Sequence, residues 1–343
     1  MEQKKKLNLR TVGSMISNNI LYIILGLILL FVVIAEPRFL SMGNILNILK
    51  QSSTKGIIAL GISSIILVAG NDLSAGRTVG LCAVVSASML QSVTYSQRYY
   101  PQIEKGLPLV VPLLICIAIA LIIALVNGLL VARCHLPAFI ATLGTQLIVY
   151  GLNCIYLEAQ PLGSSQPLST FDSRFTNLVN KSVNVFGIRV SYLIFYFLVL
   201  SLIVAFIWRY TTLGKNMYAV GGNSEAASVS GVSVPTTIIC AYLLGGLMIG
   251  IGSFLEAARI QSVNTSTGNG YELDAISASV IGGISLSGGI GKVRGVVLGT
   301  IILQTINYSL YFLGVNAYLQ YIIRGVIIIL AVMLDIRKSI RKK

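Results

Sequence analysis

Apolar residues fill this chain in long blocks, separated by short polar or glycine-containing breaks. Crossing a bilayer as a helix takes about 20 apolar residues, fewer where a helix is short or broken. Ten blocks meet that requirement: Asn18–Ala35, Thr54–Ala69, Gly76–Thr94, Leu107–Ala132, Pro137–Leu157, Val190–Trp208, Thr236–Leu255, Leu273–Gly289, Gly295–Leu313 and Tyr318–Ile336. The second and eighth are the shortest, and Ile45–Leu49 adds an apolar turn ahead of the second. The pattern predicts an all-α polytopic membrane protein: a segment 1–17, a transmembrane domain 18–336 and a basic tail 337–343.

Two polar breaks are long. Glu158–Arg189 is rich in Ser, Asn, Pro and Gln, with Phe171, Phe175 and Phe186 spaced along it. It reads equally as a landing surface for an extracytoplasmic partner and as a solvated connector. Arg209–Pro235 carries folding signals of its own. Asn223 is placed to cap a helix, Glu225 falls in the first turn where the helix dipole favours an anion, and Gly231 suits the left-handed position past the end. Pro235 prevents continuation. A helix over Ser224–Ser230 is too short to stand alone, so it must dock on this chain's own helices or on a partner.

Composition narrows the class. Of 343 residues, 55% are hydrophobic and only 10% charged, with mean hydropathy +0.84, which excludes an ordinary soluble domain. The net charge of +14 does not point to nucleic acid, because the basic residues cluster at the termini and in short loops. With both termini cytoplasmic, 15 of the 25 basic residues fall inside and nine outside, Arg324 lying within the last span; this is the bias of the positive-inside rule. Lys4–Lys6 and Arg10 precede an apolar run with no small-residue cleavage site before Glu36-Pro37, so the first block is expected to stay as an anchor. Cys82, Cys116, Cys134, Cys154 and Cys240 lack paired spacing and read as packing residues.

Several strings carry a resemblance. Glu225-Ala226-Ala227, with Gly231 four residues on, resembles the EAA loop of ABC-importer permeases, without the Ile-x-Leu-Pro tail of the longer consensus. The run Leu213–Asn223 leading into it is similar to the sugar branch of that family, the ribose, xylose and galactoside permeases. So are Asn71–Arg77, Thr142–Thr145, Glu272–Ile276, Gly282-Gly283 and Gly288-Gly289, and the resemblance runs from about Ile20 to the C-terminus. It implies a multi-pass subunit of a bacterial cytoplasmic (inner) membrane importer, acting as a homodimer of chains that each hold an inverted repeat of two five-helix halves. It also implies an ATPase partner that binds ATP and Mg, and an extracytoplasmic sugar-binding protein. Within the family it favours a galactoside cargo over ribose, xylose or a nucleoside. Gly214, Asn223, Glu225, Ala226, Ala227 and Gly231 then fall in the ATPase-coupling loop, while Asp72, Ser74, Gly76, Arg77, Asp274, Gly282 and Gly283 hold structural motif positions.

Catalysis finds no support. Gly288-Gly289-Ile290-Gly291-Lys292-Val293 is a poor phosphate loop, since Val293 replaces the Ser/Thr that would hold magnesium. His135 is the only histidine, leaving no imidazole-based metal site. No cofactor is expected in this chain. Polar groups within spans are costly and default to functional candidates. Thr300, Gln304 and Asn307 share one helical face with Tyr311, and Thr142, Thr145, Gln146 and Asn153 share another. Neutral hydrogen-bonding faces suit a neutral polyhydroxylated solute; interhelical packing is the alternative. Asp72 and Arg77 are expected to meet in a turn, and Glu256 to pair with Arg259. An ion-coupled transporter would need carboxylates buried in mid-span, and none is evident in the pattern.

Overall fold

The computed structural model describes residues 26, 30–34, 36–161, 163 and 166–340. The segment 1–17, most of the predicted span Asn18–Ala35 and residues 341–343 of the tail lie outside the described residues. After a 3-10 turn at Pro37–Leu40, the chain forms α1 (Met42–Leu67), α2 (Ala75–Met89), α3 (Val110–Ala132), α4 (Ala138–Glu158) and α5 (Ser173–Asn180). A hairpin, β1 (Ser182–Val185) and β2 (Ile188–Ser191), leads into α6 (Tyr192–Tyr210), α7 (Thr212–Gly222), α8 (Ser224–Val229) and α9 (Val234–Ile260). Then come α10 (Tyr271–Ile281), α11 (Val293–Phe312) and α12 (Ala317–Ile340). Among the described residues α3, α4, α6, α9 and α11 are long and apolar enough to cross a membrane.

The two long helices α1 and α9 pack together at the centre. Around them the order is crossed: α1 lies against α10 and α11, whereas α9 lies against α2 and α3. The outer faces of α3, α4 and α6 present Ile122, Phe139, Ile148, Ile155, Leu202 and Phe206. Such faces suit a hydrocarbon solvent, with the backbone satisfied inside each helix.

Helix α1 starts at Met42, well ahead of the predicted Thr54. Ser41 caps it, its hydroxyl accepting from the Asn44 amide at 3.4 Å. Within its polar stretch the Ser52 and Ser53 hydroxyls are satisfied locally, donating to the carbonyls of Ile48 and Leu49, both at 2.7 Å. The lysines reach other elements, Lys50 to Asn180 at 3.1 Å and Lys55 to Asp274 at 2.5 Å.

The predicted external loop is largely structured. Asp172 accepts from the Arg174 amide at 2.8 Å to open α5 and binds the Arg174 guanidinium at 2.7 Å, which holds its carboxyl below the usual range. The hairpin turns through Phe186 and Gly187, both with positive φ, in antiparallel register Val185↔Ile188. Period-two alternation over four residues is too short to be legible in sequence.

The eighth predicted span is also different. Helix α10 stops at Ile281, followed by Gly282 and by Gly283 at φ +83°, so it is about half a span long. The loop before it runs inward: Val263 pairs with Leu168, yet Thr267 and Gly268 lie against Gly80 and Gly76 of α2. A loop assigned by the pattern to the outer face therefore reaches the first turns of α2, inside the bundle.

Candidate functional site

Three regions hold the candidate residues. The first is built on α7 and α8. Thr211 donates to the Ile207 carbonyl (2.7 Å) and accepts from the Gly214 amide (3.2 Å), turning the chain from α6 into α7. A Cβ on Gly214 would lie 2.3 Å from the Ile207 oxygen, so only glycine allows that close return. Met217 and Val220 are buried, the rings of Trp208 and Tyr218 meet edge-on, and Tyr218 donates to the Gly291 carbonyl at 2.9 Å. At the far end of α7 a Cβ on Gly221 would lie 1.9 Å from the Leu67 oxygen and 2.5 Å from the Gly289 nitrogen. The Gly289 amide donates to that same Leu67 oxygen at 2.9 Å. Helix α7 is thus seated, backbone to backbone, on the end of α1 and on the turn between α10 and α11.

Asn223 ends α7 and starts α8, its side chain accepting from the Ala226 amide at 2.9 Å. At the other end the Gly231 amide donates to Ser228 (2.9 Å) and the Val232 amide to Ala227 (3.0 Å), with Gly231 at φ +86°. This is the paired closure that left-handed glycines give helix ends. Ala227 is buried, while Glu225 and Ala226 are exposed and Val229 is 92% exposed. Helix α7 was not legible in the sequence: Gly214, Gly221 and Gly222 lower intrinsic helicity, and tertiary seating overrides that.

The second region surrounds the first turns of α2, where the Asn71–Ser74 loop meets α3, α4 and α9 and the loop before α10 meets α2. Asp72 accepts from the Ser74 amide (2.9 Å) and hydroxyl (2.6 Å). Asn127 donates to Ser74 at 2.9 Å and accepts from Thr145 at 2.7 Å. Thr142 accepts from the Leu73 amide at 3.1 Å, and Tyr242 donates to the Asn71 carbonyl at 2.8 Å. Asn127 lies five residues before the end of α3, about 8 Å along the helix at ~1.5 Å per residue, so this loop is set within the bundle. Asn127 was missed in the sequence although it is the one polar side chain in the apolar run Val110–Ala132. Arg77 does not meet Asp72; its guanidinium stacks on the Tyr150 ring and reaches the Thr265 carbonyl at 3.4 Å. A Cβ on Gly76 would fall 1.9 Å from a Glu272 carboxylate oxygen. Asn153, 1% exposed, lies beside Gly80, and Gln146 is half-buried.

The third region is a narrow cleft between α1, α10 and α11, lined by Lys55, Tyr271, Asp274, Thr300 and Gln304. The Thr300 hydroxyl donates to the Val296 carbonyl at 2.8 Å. Asn307, one turn beyond Gln304, is buried with neither amide atom partnered. Just outside the cleft Arg259 grips Glu256 with two hydrogen bonds of 2.7 Å, and Tyr271 donates to Glu256 at 2.6 Å. Gly282 packs against the Gly295 carbonyl, which brings α10 and α11 close at their inner ends. The sequence pattern shows no mid-span carboxylates; the structure corrects this, burying Asp72, Glu256 and Glu272 at 2%, 0% and 6% exposure. Asp72 sits on the loop before α2, Glu256 in the last turns of α9 and Glu272 in the first turn of α10, all at element ends that a linear count reads as lying outside the spans.

The chain matches known proteins over most of its length. Residues 44–332 match the family model described as the branched-chain amino acid transport system/permease component. The galactose/methyl galactoside import permease protein MglC of Escherichia coli (strain K12) is 45% identical over 323 residues, 94% of this chain and 95% of that protein. Its namesake in Haemophilus influenzae is 44% identical over 329 residues, 96% and 97% of the two chains. The ribose import permease protein RbsC of Bacillus subtilis (strain 168) is 36% identical over 321 residues, 92% of each. No solved structure matches. With 289 residues under one family model and these relatives end to end, the chain belongs to the permease components of the branched-chain amino acid transport system family.

Proposed function

We propose that this chain is the membrane subunit of an ABC importer that brings a neutral sugar, galactose or a methyl galactoside, into the bacterial cytoplasm. The observation that carries the cargo is the 44–45% identity to galactose/methyl galactoside permeases across nearly the whole chain, against 36% to a ribose permease. Two copies of the chain work with an ATPase that binds ATP and Mg and with an external sugar-binding protein. Both termini and α8 face the cytoplasm. ATP-driven closure of the ATPase draws the two α8 helices together. Because α7 is seated on the end of α1 and on the α10–α11 turn, that movement reaches the centre of the bundle. The shift between outward- and inward-open states is a population change driven by contacts at one face.

The crossed packing supports ten spans in two inverted halves. Counted that way, α1 and α9 are the second spans of their halves and α2 and α10 the third. Each second span lies against the third and fourth spans of the other half, as a pseudo-twofold relation requires. Short or interrupted spans at matching positions of two halves are where transporters bind solute. Deleting the gene is expected to remove high-affinity galactose uptake from whole cells. Normal galactose uptake with lost ribose or xylose uptake would move the cargo to a pentose and leave the permease reading standing. A second reading, ion-coupled transport, draws on Glu272, buried with no ion-pair partner among the described residues. Uptake that survives loss of the ATPase would favour it.

A further inference from the structure

The cleft between α1, α10 and α11 holds more polar chemistry than packing requires. Lys55 and Asp274 face each other across it, their side chains 15% and 11% exposed. The Lys55 ammonium also lies 4.4 Å from the centre of the Tyr271 ring. That ring is fixed: its hydroxyl donates to Glu256, which Arg259 holds from the other side. Gln304 lines the same cleft at 3% exposure and makes no side-chain hydrogen bond among the described residues. Asn307, one turn along α11, is buried with both amide atoms unpartnered, a cost in free energy that a packing role does not repay. Lys55 stands near the middle of α1, twelve residues from its inner end, so the cleft lies deep between the two faces of the bundle. In this state it has room for about one water.

We propose that this cleft is a hydroxyl-binding station on the solute path, held shut by the Lys55–Asp274 bridge. The inference rests on the reading that the chain carries a neutral sugar. When Lys55 swings away, the Asp274 carboxylate is freed to accept from two neighbouring hydroxyls, and the Tyr271 face is uncovered for the apolar face of a pyranose. Gln304 and Asn307 supply the neutral donors and acceptors that follow along α11. An anionic solute is disfavoured by Asp274, and closure of the bridge behind the sugar restores the paired charges. A transient site of this kind lets the solute leave, which a permanently open carboxylate would hinder.

The test uses the full transporter in cells, with Gln304→Cys as the single thiol in a background stripped of the five native cysteines. A small polar thiol reagent is expected to react slowly with that thiol, faster when Lys55→Met removes the bridge, and slower again in the presence of galactose. Asp274→Asn, which keeps shape and loses charge, is expected to cut uptake roughly tenfold or more while the complex still assembles, the worth of one charge-assisted hydrogen bond. The exchanged pair Lys55→Asp with Asp274→Lys restores an ion pair but moves the carboxylate across the cleft; it is expected to assemble and not to transport. Wild-type uptake by the exchanged pair would reduce the bridge to architecture and overturn the proposal. So would thiol reactivity indifferent to Lys55→Met and to galactose, ribose and xylose alike. Protection by a pentose and not by galactose would keep the cleft and sink the galactoside reading.

Discussion

Gly231→Val is expected to abolish sugar uptake while the protein still reaches the membrane in normal amount. Gly231 sits at φ +86°, and no atom lies within 4 Å of where its Cβ would be. The substitution therefore meets no steric wall; its whole cost is backbone strain. A left-handed residue with a side chain costs about 1–2 kcal/mol, more when β-branched. Two hydrogen bonds depend on that conformation, Gly231 to Ser228 and Val232 to Ala227, and they close a helix of only six residues. Losing them unwinds or redirects α8 and leaves the rest of the bundle, which buries its own core, untouched. Asparagine, which tolerates the left-handed region, is expected to keep partial uptake at the same position. Glu225→Lys adds a cation at the start of α8, where the dipole disfavours it by about 0.3–1 kcal/mol, and reverses the charge of the exposed docking face. Its expected effect is weaker binding of the ATPase, read by co-purification. Wild-type transport by both Gly231→Val and Glu225→Lys would remove α8 from the coupling route.

Gly221→Ala is expected to fail earlier, in folding. A methyl there would lie 1.9 Å from the Leu67 oxygen and 2.5 Å from the Gly289 nitrogen. Both obstacles are backbone, so neither can rotate away. Either α7 lifts off the end of α1 or the α10–α11 turn is displaced, breaking the Gly289–Leu67 hydrogen bond. Overpacking of this kind costs about 1–3 kcal/mol, and more where, as here, the obstacle is backbone. The neighbouring Gly222 has open space at its Cβ, so Gly222→Ala serves as the matched control and should be neutral. The readout is the yield of monodisperse protein in detergent and its thermal unfolding midpoint. Equal yields and midpoints for the two alanine variants would show that α7 is not seated on α1.

Much of the fold was legible because hydrophobic length and helix-cap chemistry are local. The blocks from the second onward each overlap a helix, and Asn223 and Gly231 take cap positions that their side chains alone announce. What was not legible depends on contact. Helix α7 exists because its glycines permit backbone seating on Leu67 and Gly289, which a propensity reading counts against it. Helix α10 ends early because Gly282 and Gly283 break it, although apolar residues continue on either side. The pairing of Lys55 with Asp274 joins positions 219 residues apart, beyond any periodicity. Asp72 and Arg77 were expected to meet in a turn, but Asp72 is held by Ser74 two residues on and Arg77 stacks on Tyr150 of α4. The two halves show no convincing sequence identity; their relation lies in which helices touch.

Coupling to an ATPase is read most directly from what α8 touches. A photo-reactive side chain placed at Val229, 92% exposed on that helix, should cross-link in intact cells to an ATP-binding subunit identified by mass. The yield should fall when Glu225→Lys is added. Capture of an external sugar-binding protein from Val229, or no ATPase captured from cells that still transport, would contradict it.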